Sequence, residues 1–276
     1  MPNLSRKMWI ALGVFGVSVV ALVASITGYA PFLSLEGLII VVGGSVANAL
    51  LSYRRQDVIK AYNTVRDMVK KQMPQPGDLH KDIMQLIMWS YVVRSQDFLG
   101  LEREAAKTAH EPLTRYGLDL VVSGYAPEKI REMLQTVAEA EFERSCAPVM
   151  VLRNMAATAP AFGMVGTLVG MITLLHHGAI DLTNIEGGLA VAMLSTLYGI
   201  LAARLLCLPA ADKLLQQEES KHFRDYMMTE GLALLAERQS PFYMQDRLNS
   251  FLEPAQHLRV EDYIAANANH PMIAAA

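Results

Sequence analysis

Thr158-Ala-Pro-Ala-Phe-Gly-Met-Val-Gly-Thr-Leu-Val-Gly170 and Gly188-Leu-Ala-Val-Ala-Met-Leu-Ser-Thr-Leu-Tyr-Gly199 decide the architecture of this chain. They lie in two runs, Ala156–Leu175 and Gly187–Pro209, each long and apolar enough to cross a bilayer. Neither run carries an acid in its middle. Both are rich in glycine and alanine, where a lipid-facing anchor would use leucine, isoleucine and phenylalanine. Small residues let helices approach closely, so these runs read as helices that pack tightly and line something narrow.

Two further apolar runs precede them, so the candidate spans are Met8–Ile26, Leu35–Leu51, Met155–Leu175 and Leu189–Leu208. The chain of 276 residues is 52% hydrophobic and only 18% charged, which suits a membrane protein with a sizeable aqueous part. Arg6 and Lys7 precede an apolar run longer than a signal peptide requires, and a second span follows closely. The first run is therefore expected to be a retained helix. All 24 Lys and Arg lie at the N-terminus, between spans two and three, at the inner ends of spans three and four, or in the tail. The short connections Thr27–Ser34 and His176–Glu186 contain none. The positive-inside rule puts both termini in the cytoplasm and the two short connections outside. The formal charge of −3 averages over compartments and says little about partners. No nucleic acid is expected.

The expected fold is an all-α integral membrane protein of four transmembrane helices. A helical cytoplasmic domain is built from the loop between spans two and three and from the C-terminal tail. In residue terms, 1–52 carries the first two spans, 53–151 the cytoplasmic helices, 152–209 the last two spans and 210–276 a helix and tail. Within the loop, Tyr53–Gln72, Asp78–Val93 and Leu99–Gly117 have helical periodicity, broken by Pro74-Gln-Pro-Gly77. Ser123-Gly-Tyr-Ala-Pro127 is a turn, with Pro127 placed to open a helix. From Glu128 to Met150 the pattern is helical and is expected to run on into span three. After Pro209 a charged helix, Asp212–Arg238, is expected. No β pattern or internal repeat is present.

Cys146 and Cys207 sit near the predicted inner boundary, where a reducing cytoplasm argues against a disulfide. No ligand spacing suggests a metal, and no cofactor is expected. His176 and His177 read as solvated loop residues. No nucleophile–base pair, phosphate loop or metal set appears, so an enzyme is not expected. Between Met155 and Pro209 the only acids are Asp181 and Glu186, in or beside the outer connection, and Glu36 stands at the outer edge of span two. A proton pathway usually needs an ionisable group at membrane depth. This chain offers hydroxyls instead: Thr158, Thr167, Thr173, Ser195, Thr196 and Tyr198. These hold water or partly dehydrated cations but do not titrate near neutral pH. Conduction therefore demands a partner helix that brings the carboxylate.

The two small-residue helices, closing on Leu208-Pro-Ala-Ala-Asp-Lys-Leu214, closely resemble the channel helices of the MotA/TolQ/ExbB ion-channel family, and within it those of MotA-type stator subunits. The resemblance implies a homo-oligomeric ring, a pentamer, around a single-span MotB-like partner whose aspartate binds and releases the ion. Pro160 and Pro209 match the family's two channel-helix prolines. Thr167 and Thr196 match positions beside the ion path, and Ser195 stands one methyl short of the threonine often found there. Gly163, Gly166 and Gly170 are expected to serve helix packing. Arg94 and Glu102, within Leu101-Glu-Arg-Glu104, resemble the charged pair that engages a FliG-like rotor switch protein; Arg103 and Glu104 are weaker candidates. Gln96 and Asp97 replace the family's usual glycines between the pair. Arg204 stands where relatives carry a neutral polar residue; its long stem is expected to snorkel to the interface.

The function so implied is a flagellar stator subunit of the bacterial inner membrane, coupling inward proton flow, with sodium as the other candidate, to torque on a rotor. The alternatives are an ExbB- or TolQ-like energiser of envelope processes and a passive membrane scaffold. The four-span layout with Arg94 and Glu102 favours the flagellar branch.

Overall fold

The computed structural model describes residues 34–69, 79–108, 111–176 and 182–259. The expected first span, Met8–Ile26, lies outside the described residues, as do His177 and Asp181. The helices are α1 (Leu35–Ser52), α2 (Arg55–Val69), α3 (Leu79–Thr108), α4 (Pro112–Val122), α5 (Pro127–His176), α6 (Leu182–Leu201), α7 (Leu208–Ala236) and α8 (Pro241–Asn249). A π-helical turn, Ala202–Cys207, joins α6 to α7, and a short 3-10 turn covers Pro254–Gln256. Among the described residues there is no strand.

Local chemistry sets these bounds. Ser34 caps α1 by accepting the Gly37 amide at 3.2 Å, and Glu36 lies at the favourable end of the helix dipole. Gly124, with φ of 76°, closes α4 in a left-handed conformation that disfavours other residues. Pro127 opens α5, where its missing amide costs nothing. As the pattern from Glu128 onward predicts, α5 then runs unbroken into the apolar stretch, through Pro148 and Pro160.

Two boundaries differ from the sequence reading. The helix expected to stop at Pro209 and restart at Asp212 does not stop. Leu208 donates its amide to the Ala203 carbonyl, five residues back. Pro209 then falls in the opening turn of α7, where a proline is tolerated. The break expected between Asp78–Val93 and Leu99–Gly117 is found at Asp97, where Leu79–Thr108 leaves helical angles, but the second helix ends at Thr108 and a new one starts at Pro112.

The chain divides into two compact units. The first comprises residues up to Val69 together with Pro148–Ala211. One buried cluster in it comprises Val41, Ala156, Ala159, Ala203 and Cys207. Leu38, Ile39, Leu168, Ile172 and Met193 are exposed, a quantity of apolar surface that water would not tolerate and a bilayer would. Three described helices are long and apolar enough to cross a membrane: α1, α5 and the run from Gly188 to Ala236.

The second unit, Lys70–Ala147 with the residues from Asp212 onward, has an ordinary globular core. Trp89, Leu101, Ile130, Leu134, Met227, Leu232, Leu235 and Met244 are fully buried in it. Several charged groups inside are paired, whereas the buried His222 Nδ1 has no hydrogen-bond partner. Arg224 bridges Asp82 and Glu111, with its Nη2 donating to Asp82 Oδ1 at 2.8 Å. Arg131 and Arg247 both hold Glu230. Burial pushes the Asp225 carboxyl up to about 6, with Glu141 and Glu111 adding to the shift and Lys221 and Arg224 opposing it.

Candidate functional site

Glycines bring α1, α5 and α6 together in the first unit. A methyl built on Gly163 would lie 2.9 Å from the Ser195 carbonyl oxygen and 3.0 Å from Thr196 Cα. One on Gly170 would lie 2.7 Å from the Gly188 oxygen, and one on Gly199 would lie 2.6 Å from the Ala159 oxygen. Gly166 faces the Ser195 side chain, whose Cβ would be 2.4 Å from the added methyl. Any larger residue at these positions drives the helices apart, because what it meets is mostly backbone.

Ser195 is the hub of this crossing. It is completely buried, and its hydroxyl is shared between the Gly163 carbonyl of α5 at 3.1 Å and the Ala192 carbonyl one turn back at 3.0 Å. Gly37 of α1 approaches it from the other side, where an added methyl would sit 3.4 Å from the Ser195 amide nitrogen. Tyr198 accepts the Ser34 amide at 3.0 Å, and Asn48 donates to Asn154 at 2.9 Å, adding polar ties from α1 to α6 and α5. Thr167 is half-buried and donates to the Met164 carbonyl at 2.6 Å. Thr158 and Thr173 likewise donate to carbonyls of their own helix. Thr196 is half-buried beside Gly163.

Pro160 lies inside α5 and removes the amide that would have met the Ala156 carbonyl. It lines a cavity of about 580 Å³ together with Arg153, Ala156, Ala157, Ile200, Ala203, Arg204 and Leu208. The proline of α5 and the π turn after α6 are thus two backbone irregularities on one cavity. Pro209 follows directly, as the second residue of α7.

Arg94 and Glu102 are both exposed on α3, in the second unit, on either side of the break at Asp97. Asp97 has φ of 61° and ψ of −170°, a region that side chains other than glycine's strain to occupy. Two contacts hold it there. Its Oδ1 accepts the Phe98 amide at 2.9 Å and the Arg238 guanidinium at 2.7 Å. Arg238 is itself left-handed, with φ of 55°, and lies 4.6 Å over the Phe98 ring. The sequence shows the missing glycine but gives no sign of this brace, because Arg238 is 141 positions away. Asp97→Ala should therefore destabilise the protein by about 1–2 kcal/mol, since it keeps the strained angle and loses both contacts. Asp97→Gly should be no less stable than the natural protein. Thermal unfolding compares them, and a glycine variant weaker than the alanine variant would show that the backbone angle stores nothing.

The sequence profile of the MotA/TolQ/ExbB proton channel family matches residues 105–228. That range holds every channel-helix candidate and excludes Arg94 and Glu102. The uncharacterised protein YtxD of Bacillus subtilis (strain 168) is 30% identical over 83% of this chain and 82% of its own length. Motility protein A of Treponema phagedenis is 30% identical over 91% of this chain and 95% of its own. The solved structure of C. jejuni MotAB superposes with a TM-score of 0.79 at 22% identity, covering 93% of this chain and 98% of that one, so the fold is shared. A membrane-embedded helical crossing built on small residues, the matching profile and full-length relatives lead to one assignment: the chain belongs to the MotA/TolQ/ExbB proton channel family, as a MotA-type stator subunit.

Proposed function

We propose that this protein is the ring-forming subunit of a flagellar stator, working with a single-span MotB-like partner to convert inward proton flow into torque. The observation that carries the reading is the crossing of α1, α5 and α6, which packs tightly yet has no carboxylate at membrane depth. Hydroxyls cannot bind and release a proton near neutral pH. The titrating group must come from a partner, and the relatives named for MotAB and Motility protein A support that division of labour.

In this scheme the chain spans the bacterial inner membrane four times with both termini in the cytoplasm, and the second unit is the cytoplasmic domain. Copies form a pentameric ring around the partner. Thr167 and Thr196 face the ion path, whereas Ser195, enclosed by its own chain, ties α6 to α5. Pro160 and Pro209 let the two channel helices bend as the partner aspartate gains and loses charge. The membrane potential supplies about 2.3 kcal/mol per charge per 100 mV. Sodium remains the other candidate ion, since hydroxyls also accept it.

Reconstituted vesicles test this directly. The chain alone should give no proton flux, and the chain with an unplugged MotB-like partner should give flux that a change of the partner's aspartate abolishes. Robust flux from the chain alone would sink the reading. Arg94 and Glu102 are assigned to a FliG-like rotor switch protein. Arg94→Glu and Glu102→Lys should each reduce recruitment to the motor while leaving flux intact. Exposed ion pairs are worth about 1 kcal/mol or less, so neutral substitutions should be mild and reversals severe. Loss of flux with normal localisation would move both residues from the rotor contact to the channel's assembly.

A further inference from the structure

Within the second unit, α5 and α7 flank a groove of about 720 Å³. Glu139 and Glu143 line it from α5, one helical turn apart and so on one face. His222, Tyr226 and Thr229 line it from α7 with the same turn-by-turn spacing. No lysine or arginine is among the described residues that line it. Lys221, beside His222 in sequence, is held by Glu141. Glu139 faces His222 Nε2 at 3.5 Å, a contact that is an ion pair only when the imidazole is charged. An aromatic edge accompanies this acidic lining. Phe223 and Tyr226 of α7 are 43% and 47% exposed, and each meets the Phe251 ring edge-on at 5.9 Å. His222 stacks on Phe142 at 4.6 Å and keeps its Nδ1 buried without a partner, so the wall is also short of one polar contact. Aromatic surface beside uncancelled charge is the form that protein partners use. The described residues contain no group of three ligating side chains, so a metal ion is the poorer occupant.

We propose that the α5–α7 groove of the second unit docks a basic amphipathic helix of another protein, with its cations on Glu139 and Glu143 and its apolar face on Phe223 and Tyr226. Charge complementarity selects the sign of the partner, and the exposed rings select its amphipathic character. Lysine suits both, because its ammonium reaches a carboxylate while its stem lies along an aromatic ring. A groove between two helices takes a third helix along its length. Arg94 and Glu102 are on α3 and do not line this groove, so the rotor assignment does not use it. The inference takes from the stator reading only the compartment in which the partner is met.

Synthetic peptides test this on the full chain in phosphatidylcholine nanodiscs. The probe is a fluorescent helix of leucine and lysine at amphipathic spacing, about 15 residues long. One control replaces every lysine by glutamate, and another every leucine by serine. By fluorescence anisotropy the leucine–lysine peptide should bind about tenfold or more tightly than either control. Glu139→Gln with Glu143→Gln should weaken it about fivefold or more, and Phe223→Ala with Tyr226→Ala should do the same through the apolar face. These side chains are exposed, and circular dichroism checks that both double variants stay folded. Equal binding of either control, binding unchanged in both double variants, or equal binding to empty nanodiscs overturns the proposal. A second copy of the chain is the other occupant to exclude. If Glu139→Arg with Glu143→Arg breaks up the natural assembly in mass photometry and the peptide does not bind the natural protein, the groove belongs to that copy and the proposal is also overturned. Peptide binding is read without ion flux. Failure here therefore leaves the stator reading standing, and failure of the vesicle test leaves the docking result intact.

Discussion

Gly166→Ala should abolish motility and lower thermal stability, and adding Ser195→Gly should restore much of both. The added methyl would stand 2.4 Å from Ser195 Cβ and 2.6 Å from its Oγ, distances that no rotation of the serine relieves because Cβ is fixed. Helices α5 and α6 must separate, which breaks the Ser195–Gly163 bond and opens the approaches at Gly163 and Gly199. Overpacking of this kind costs about 1–3 kcal/mol, and a loosened helix crossing costs function as well. Ser195→Gly removes both offending atoms. The next atom the methyl would meet is Ile40 Cγ2 at 3.7 Å, an ordinary contact. Alone, Ser195→Gly loses one interhelical hydrogen bond, worth about 1 kcal/mol, and should be the mildest of the three. Motility complementation and unfolding in detergent measure the series. A double variant as damaged as Gly166→Ala alone would show that the crossing is not what Gly166 protects.

Arg224→Leu should unfold the second unit under conditions where the natural protein is stable. Asp82 is 7% exposed and is held by two guanidinium nitrogens. Without Arg224 its carboxylate stays buried and unpaired, a loss of about 3–5 kcal/mol. Glu111, the other partner, is far more exposed and returns to water at little cost. Changing both residues, as Asp82→Leu with Arg224→Leu, removes the stranded charge and should recover most of the stability. Thermal unfolding of the detergent-solubilised protein decides the matter. A double variant no better than Arg224→Leu would mean that packing of the arginine stem, and not the charge of Asp82, is what matters there.

The three described apolar helices are legible because their signals are local. Long apolar runs, small residues at close spacing and a pattern continuing from Glu128 to beyond Met150 all speak for helix without tertiary information. What stayed hidden depends on distant partners or on backbone register. Pro209 looks like a stop, and only the π turn at Ala202–Cys207 makes it a beginning. The periodicity places a break between Val93 and Leu99, but Gln96-Asp97 contains neither glycine nor proline, so nothing announces the positive φ that makes it. Ser195 and Thr167 are equally plausible path hydroxyls by residue type. Their hydrogen bonds differ, since Ser195 reaches across to α5 as well as back along α6, whereas Thr167 bonds its own helix. Asp82 and Arg224 are 142 positions apart and carry no pattern that pairs them.

Asp97 and Arg238 each occupy a left-handed backbone angle, and each is the other's ion-pair partner. Their histories are therefore tied. A lineage that gains glycine at position 97 frees Arg238 of its anion and leaves it only the Phe98 ring. A lineage that loses Arg238 first leaves Asp97 strained with half its support. The two positions should be inherited as a unit, exchanged together or not at all, so the brace across this loop is a heritable pair and not two independent surface choices.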